Sequence, residues 1–249
     1  MFESWLVVAL ALGLGGFVKG ATGMGLPMVA IPLLATAFDL PSALSMLVAP
    51  VIVTNLWQAW EFRSHRVATP FLGLMLAFGF VGVLAGTYLL TSLPRDGVSL
   101  LLGAVLVTFV ALRITRPPPP IGVQLGRLLA PAVGFLSGVL QGTTGLASPV
   151  SLPYLLAMRL EREAYLFAVS SIFLLFAATQ GISLWFVGLM RPDALLAGVA
   201  GLVPIAVLMP IGNALGRAMN RRAFDVVTLS LLTIMAATLI APTLLAYFY

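Results

Sequence analysis

Long apolar stretches, separated by short polar or proline-containing segments, run through the chain from one end to the other. They predict ten helical legs, at residues 4–19, 26–38, 41–61, 68–92, 97–114, 127–141, 148–158, 164–189, 194–217 and 225–247. An apolar stretch of about 18 residues or more with few charges is typical of a helix that spans a membrane. The pattern therefore predicts an all-α polytopic membrane protein.

The composition supports this class. Of the 249 residues, 61% are hydrophobic and 8% are charged, and the mean hydropathy is +1.11. The charged fraction is far below that of water-soluble domains, which carry about 25% charged residues. The isoelectric point near 10.2 reflects loop arginines, whose distribution is informative about membrane topology. The sequence offers no soluble basic domain for nucleic acid.

A run of four prolines at 117–120 divides the chain almost in half, and such a run cannot lie inside a helix. We predict a first membrane repeat at 1–115, a Pro-rich cytoplasmic linker at 116–126 and a second membrane repeat at 127–249. The halves are predicted to be copies, because identities recur at an offset of 122 residues. Gly16, Gly20, Thr22, Gly23, Pro27, Leu33, Leu34 and Ala35 recur as Gly138, Gly142, Thr144, Gly145, Pro149, Leu155, Leu156 and Ala157. Gln58 recurs as Gln180 at the same offset, and Gly86 as Gly212 at an offset of 126.

Glycine, threonine and proline separate the first two legs of each half, at 19–27 and again at 141–149. A helix break exposes backbone groups that lipid cannot satisfy, so it survives at membrane depth only inside protein or beside an aqueous cavity. Paired interruptions at corresponding positions of two repeats are typical of a transporter binding site. The two breaks are therefore the predicted substrate site, at the membrane midplane.

The arginines decide between two topologies. If each interrupted stretch crosses the membrane once, the twelve arginines divide six and six. If each is a hairpin that returns to its own side, ten share one side and only Arg95 and Arg191 oppose them. The positive-inside rule favours the hairpins. The fold class predicted is thus two inverted repeats, each an interrupted helical hairpin plus three transmembrane helices, with both termini outside the cytoplasm.

The breaks have the chemistry of an anion site. Pro27 lies in the first turn of the second leg, while Ser148 is predicted as the N-cap of leg 148–158 and is followed by Pro149, an arrangement typical of helix starts. Helix N-termini present N–H groups and a positive dipole end. Lys19 is the only lysine of the chain, and every acidic residue lies at the end of a leg. A lysine at the bilayer centre costs roughly 2.5 to 3.5 kcal/mol, so the substrate is the predicted counter-charge.

The candidate substrate-binding residues lie at the breaks or at the repeated glutamine. They are Lys19, Gly20, Thr22, Gly23, Gly25, Gln58, Gln141, Thr143, Thr144, Gly145, Ser148 and Gln180.

Each of these has an alternative interpretation that the sequence leaves open. Lys19 can extend to the membrane surface, and the glycines can serve close helix packing. The threonines can bond to carbonyls of their own helix, and Gln58 and Gln180 can join helices.

These residues carry a resemblance to a known family. The motif Gly20-Ala21-Thr22-Gly23-Met24-Gly25-Leu26-Pro27 and its second copy, Gly142-Thr143-Thr144-Gly145 followed by Ser148-Pro149, resemble the TauE/SafE family of bacterial sulfite and sulfonate exporters. The resemblance covers essentially the whole chain. It implies a transporter of small anions such as sulfite and sulfoacetate, located in the cell (cytoplasmic) membrane. Thr22, Met24, Ala147 and Ser148 depart from the commoner triple-glycine version of the motif.

Enzyme functions find no support in the sequence. The legs contain no His, Asp or Glu cluster and no paired carboxylates, and the chain has no cysteine and no phosphate-binding loop. We therefore expect no catalytic residues, metal or cofactor. Energy is expected from an ion gradient or from the gradient of the substrate itself, with electroneutral or proton-linked movement of the anion. The partners expected are a small anion and the lipid bilayer; a homo-oligomer is compatible with the sequence. The alternatives are a non-transporting membrane scaffold or assembly subunit, and a carboxylate transporter of the same architecture.

Overall fold

The structure is a computed structural model that describes residues 2–114 and 119–218. Its helices are α1 (Phe2–Thr22), α2 (Leu26–Ala37), α3 (Leu40–Glu61), a 3₁₀ helix (Arg63–Ala68), α4 (Leu72–Ser92), α5 (Arg95–Ile114), α6 (Val123–Thr144), α7 (Ser148–Ala157), α8 (Arg162–Phe186), α9 (Pro192–Ala200) and α10 (Leu202–Ala218). Within these residues there is no β-strand, which confirms the all-α prediction. The predicted leg 225–247 lies outside the described residues.

The observed helices follow nine of the predicted legs, with boundaries that differ by up to four residues. α1 continues three residues past Lys19, and α6 begins at Val123, four residues before the predicted start. The leg predicted at 194–217 is two helices that meet at Gly201 with a bend of 42°. Pro204 accounts for this bend, because proline lacks an N–H group and its ring collides with the carbonyl four residues earlier.

The helices have the lengths and apolarity of a membrane protein. Among the described residues, five helices are long and apolar enough to cross a bilayer, and a sixth span results if the bent pair α9 and α10 is counted as one. Trp57, Trp60 and Trp185 are all more than 60% exposed and lie near the ends of α3 and α8. Tryptophan at such positions is typical of the membrane–water interface. The chain is therefore a multi-pass membrane protein.

The chain forms two compact units, and each takes helices from both halves of the sequence. Unit 1 contains α1, α2, α9, α10, the part of α3 before Val51 and most of α5. Its centre is the pair α1 and α10, against which α2 and α9 also pack. α1 and α10 are so close that a Cβ at Gly20 would overlap the carbonyl of Met209, and a Cβ at Gly212 would overlap the carbonyl of Phe17.

Unit 2 contains the rest of α3, the 3₁₀ helix, α4, α6, α7 and α8. Its centre is the pair α4 and α6, with α8 packed against both. Glycines again bring the two backbones together: a Cβ at Gly142 would overlap the carbonyl of Val83, and a Cβ at Gly86 that of Val139.

The two central pairs have the same contact register. Each contact between α1 and α10 has a counterpart between α6 and α4. The α6 residue has the number of the α1 residue plus 122, and the α4 residue has the number of the α10 residue minus 126. Gly16, which lies against Ile205, thus corresponds to Gly138, which lies against Gly79. These are the offsets found in the sequence, so the duplication extends to helix packing. Inversion of the two copies across the membrane stays a prediction, as does the division at 116–126.

Candidate functional site

The first break, in unit 1, separates α1 from α2. Gly23 adopts the left-handed conformation with φ of 78°, and its N–H donates to the carbonyl of Lys19 at 2.7 Å. This arrangement is a common way to end a helix. After Gly25, which is also left-handed with φ of 105°, α2 begins at Leu26 with Pro27 in its first turn, as predicted.

The second break, in unit 2, ends its first helix in the same way as the first break. Gly145 is left-handed with φ of 76°, and its N–H donates to the carbonyl of Gln141 at 2.8 Å. Gln141 is the counterpart of Lys19 at the offset of 122. The two copies therefore end their first helix with the same backbone geometry, although one carries an ammonium group where the other carries an amide.

The prediction that Ser148 is an N-cap is wrong. Ser148 is the first residue of α7, and the N-cap is Ala147 with φ of −77° and ψ of −18°. Ala147 already has helical backbone angles, so its carbonyl accepts from the N–H groups of Val150 and Ser151. The Ser148 hydroxyl is buried in the first turn, and no side chain caps this helix.

Lys19 lies inside α1, in the last turn before the break. Its side chain is 1% exposed, so the alternative in which it extends to the membrane surface does not hold. Burial of a lysine is costly enough that it is typical of a functional position in a membrane protein.

The threonines at the breaks bond to their own helices. The Thr22 hydroxyl donates to the carbonyl of Val18 at 2.8 Å and also contacts Met24. The Thr144 hydroxyl donates to the carbonyl of Leu140 at 2.8 Å and accepts from the N–H of Leu146 at 3.3 Å. The Thr143 hydroxyl donates to the carbonyls of Val139 and Leu140. Thr22 and Thr144 therefore shape the breaks by serving both the helix and the residues after it.

The glutamines of unit 2 bond to each other, and direct substrate contact by them stays a prediction. The Gln141 side chain donates to Oε1 of Gln180 at 2.9 Å, and Nε2 of Gln180 donates to the backbone carbonyl of Gln141 at 2.7 Å. Both side chains are buried between α6 and α8. Gln58, the counterpart of Gln180, is also buried, in α3. The predicted alternative, glutamine joining helices, is thus realised in unit 2.

Gly20 is a packing residue in this structure, since its Cα faces the backbone of α10. The predicted alternative for the glycines, close helix packing, holds at Gly16, Gly20, Gly138 and Gly142.

Sequence reasoning missed a second polar pair in unit 2. The Ser183 hydroxyl of α8 donates to the Thr87 hydroxyl of α4 at 2.9 Å. Ser137, one turn before Gln141 on α6, has a buried hydroxyl oxygen without a hydrogen-bond partner in the described part of the chain. Hydroxyl groups in the middle of spans are the signal that indicates such pairs, although they do not reveal which residues will meet.

The described residues include no group of three or more His, Cys, Asp or Glu side chains that could hold a metal ion. The chemistry at the breaks is therefore that of backbone N–H groups, hydroxyls, amides and one ammonium group.

A family model for the sulfite exporter TauE/SafE matches residues 8–239. The match covers almost the whole chain and includes both breaks and the linker. No curated protein and no solved structure matches the chain.

Proposed function

The chain belongs to the TauE/SafE sulfite exporter family of membrane transporters, and on that premise we propose that it exports small anions such as sulfite and organosulfonates across the cytoplasmic membrane. It does so as a secondary transporter, with the anion bound at the broken helices. The observation that carries this proposal is the position of Lys19, fully buried in the last turn of α1 beside a break.

The start of α2 supports an anion at the first break. The first N–H groups of a helix have no acceptor within the helix, and no side chain caps α2. These N–H groups and the positive end of the helix dipole favour a negative charge. The amino group of Lys19 adds a positive charge to the same unit when it is protonated. Charge-assisted hydrogen bonds from such a group are about twice as strong as neutral ones.

The start of α7 gives the second break the same polarity without a charged side chain. α7 also begins without a side-chain cap, and Pro149 at its second position has no N–H to offer. The N–H of Ser148 and its hydroxyl are the groups available there. Thr22, Gly23, Gly25, Thr143, Thr144 and Gly145 complete the proposed binding segments.

Secondary transport fits the chemistry of the substrate. The sequence has no phosphate-binding loop for nucleotide hydrolysis, so an ion gradient or the gradient of the anion itself supplies the energy. Protons can move with the anion, because sulfite exchanges a proton near neutral pH. In an inverted repeat the two access states are near mirror images, and direction follows from the gradients.

A carboxylate substrate is the second candidate. A dipole and an ammonium group recognise negative charge, not sulfur. Apolar side chains flank the breaks at Met24, Leu26, Met28 and Leu146, and they suit a short organic tail. The substrate panel below separates the two candidates.

The test is anion binding and transport by the purified protein in proteoliposomes. We expect sulfite and methanesulfonate to raise the melting temperature and to be transported, with sulfate and acetate weaker and glycerol inert. Lys19→Gln should raise the KM about 10- to 100-fold, since a hydrogen bond to a charged group contributes about 1.5 to 3 kcal/mol.

The matched control is Arg66→Gln, which removes one positive charge from the exposed 3₁₀ helix and should leave the KM unchanged. A larger effect of acetate than of methanesulfonate would favour the carboxylate candidate. Equal stabilisation by glycerol and by the anions, together with a Lys19→Gln variant that behaves like wild type, would refute the anion site.

A further inference from the structure

Gln180 lies in the last third of α8, and its amide group meets the last turn of α6. Its Nε2 donates to the backbone carbonyl of Gln141 at 2.7 Å and lies 3.5 Å from the carbonyl of Gly142. Its Oε1 accepts from the side chain of Gln141 at 2.9 Å. The orientation of this amide is fixed by its surroundings, because a reversed amide would place its oxygen against two carbonyl oxygens.

The two carbonyls that Gln180 contacts belong to the part of α6 where the helical pattern fails. The Gln141 carbonyl already accepts the N–H of Gly145 in the left-handed cap. The Gly142 carbonyl would bond to the N–H of Leu146 in a continuing helix, but that N–H bonds to the Thr144 hydroxyl. Buried carbonyls need donors in a membrane, where water is absent. Gln180 provides a donor at this point.

We propose that Gln180 is a positioning residue, which holds the end of α6 in the geometry that presents the second break to the anion. The inference deepens the proposed function and rests on it, since the anion is the substrate proposed above. Gln180 acts through the Gln141 carbonyl and does not contact the substrate. Its Oε1 is an acceptor and has no proton to donate to an anion, while its Nε2 lies within hydrogen-bond distance of the two carbonyls.

Gln141 and Gln180 therefore have unequal roles, although their side chains bond to each other. Replacing Gln141 with methionine removes the bond between the side chains but leaves the backbone carbonyl bond intact. Replacing Gln180 with methionine removes both. Direct substrate contact by the two side chains gives both variants similar KM values. Simple bonding between helices lowers the stability of both variants and leaves their KM values unchanged.

The first measurement is transport kinetics in proteoliposomes with sulfite and methanesulfonate. We expect Gln180→Met to raise the KM roughly tenfold with little change in maximal rate, because the Gln141 carbonyl loses the buried donor that holds it in place. Gln141→Met should raise it less than about threefold. Thr179→Val is the control, because the Thr179 hydroxyl donates to the carbonyl of Leu175 in its own helix, and this variant should match wild type. A fall in maximal rate without a change in KM would mean lost protein and would overturn the positioning role.

The second measurement does not depend on transport. The chain has no cysteine, and Ser151, buried in the first turns of α7, can be replaced by cysteine with little change in volume. We expect thiol labelling of Ser151→Cys in membranes to accelerate at least fivefold with Gln180→Met, and by less than half of that with Gln141→Met, since an unfixed break opens more often. If Gln180→Met does not accumulate, Gln180→Asn serves instead, because it keeps the amide but withdraws it from the carbonyl.

The outcomes separate the two proposals. If the wild-type protein transports no anion, the proposed function fails, and the labelling rates alone decide the role of Gln180. If the protein transports anions but the two methionine variants have equal KM values and equal labelling rates, the positioning role fails and the proposed function stands.

Discussion

At the scale of the residue, Gly23 and Gly145 set the geometry of the two breaks. Each adopts a left-handed conformation with φ between 76° and 78°, and each returns its N–H to the carbonyl four residues earlier. A residue with a Cβ atom pays roughly 1–2 kcal/mol in this conformation. The sequence indicated where the helices break, and these angles explain why glycine stands at the same place in both copies.

We predict that Gly145→Ala lowers the free energy of unfolding by about 1–2 kcal/mol, measured by thermal unfolding in detergent. The control is Gly122→Ala. Gly122 has an extended backbone with φ of −72° and ψ of 160°, and a Cβ added there would have no atom within 4 Å. It should differ from wild type by less than about 0.5 kcal/mol. Equal stability of the two variants would show that the left-handed turn at Gly145 is not needed.

The side chains at the breaks were less predictable than the backbone. Thr22, Thr143 and Thr144 were candidates both for substrate contact and for bonding to their own helix, and the structure shows the second. Whether a buried hydroxyl bonds to its own helix depends on its distance to a preceding carbonyl and on its rotamer. Neither is encoded in the residue type, so the sequence left both open.

At the scale of the element, the contact between α4 and α6 depends on glycine. Gly79, Gly82 and Gly86 of α4 face the backbone of α6 or the side chain of Phe176, while Gly134, Gly138 and Gly142 of α6 face the backbone of α4. Small residues let helix backbones approach closely in a membrane, where dispersion contacts and hydrogen bonds drive association. A side chain at any contact with a carbonyl would separate the helices.

We predict that Gly138→Ala lowers stability by roughly 1–3 kcal/mol, the cost of overpacking a close interface, because the added Cβ would overlap the carbonyl of Gly79. The same substitution at Gly73 on α4 meets no atom within 4 Å. Gly73→Ala should be neutral or stabilise by up to about 1 kcal/mol, since alanine favours helix. Melting temperatures of both variants in one detergent check the difference, and a Gly73 variant as unstable as the Gly138 variant would contradict it.

The hydrophobic pattern predicted the helices better than their partners. Nine of the ten legs correspond to described helices, and the bend at Gly201 was missed because Pro204 was taken as part of one continuous leg. Periodicity identifies a span, but it does not say which span it packs against. The pairing of α1 with α10 is therefore known only from the structure, although the glycines of α1 had indicated that this helix packs closely against another.

At the scale of the whole molecule, the arginine count makes a topological prediction. Ser64 and Glu161 lie in segments predicted to be cytoplasmic, and Asp193 in one predicted to be outside. All three are exposed, and the chain has no cysteine. We expect a membrane-impermeant maleimide to label Asp193→Cys in intact cells, and Ser64→Cys and Glu161→Cys only after permeabilisation. If Ser64→Cys and Glu161→Cys are labelled from opposite sides, the inverted repeat is refuted and the eight-span alternative is restored.

Each unit contains helices from both halves of the chain, and this constrains the order in which the units can assemble during synthesis. Every segment of unit 2 lies before residue 190, so α4 and α6 can pair while the ribosome is still translating the rest of the chain. α1 is the first helix to emerge, yet its glycine-lined surface lies against α10, roughly 190 residues later in the chain. During translation that surface must remain in lipid or be shielded by a temporary partner. Unit 1 therefore closes last, although it contains the first helix of the chain.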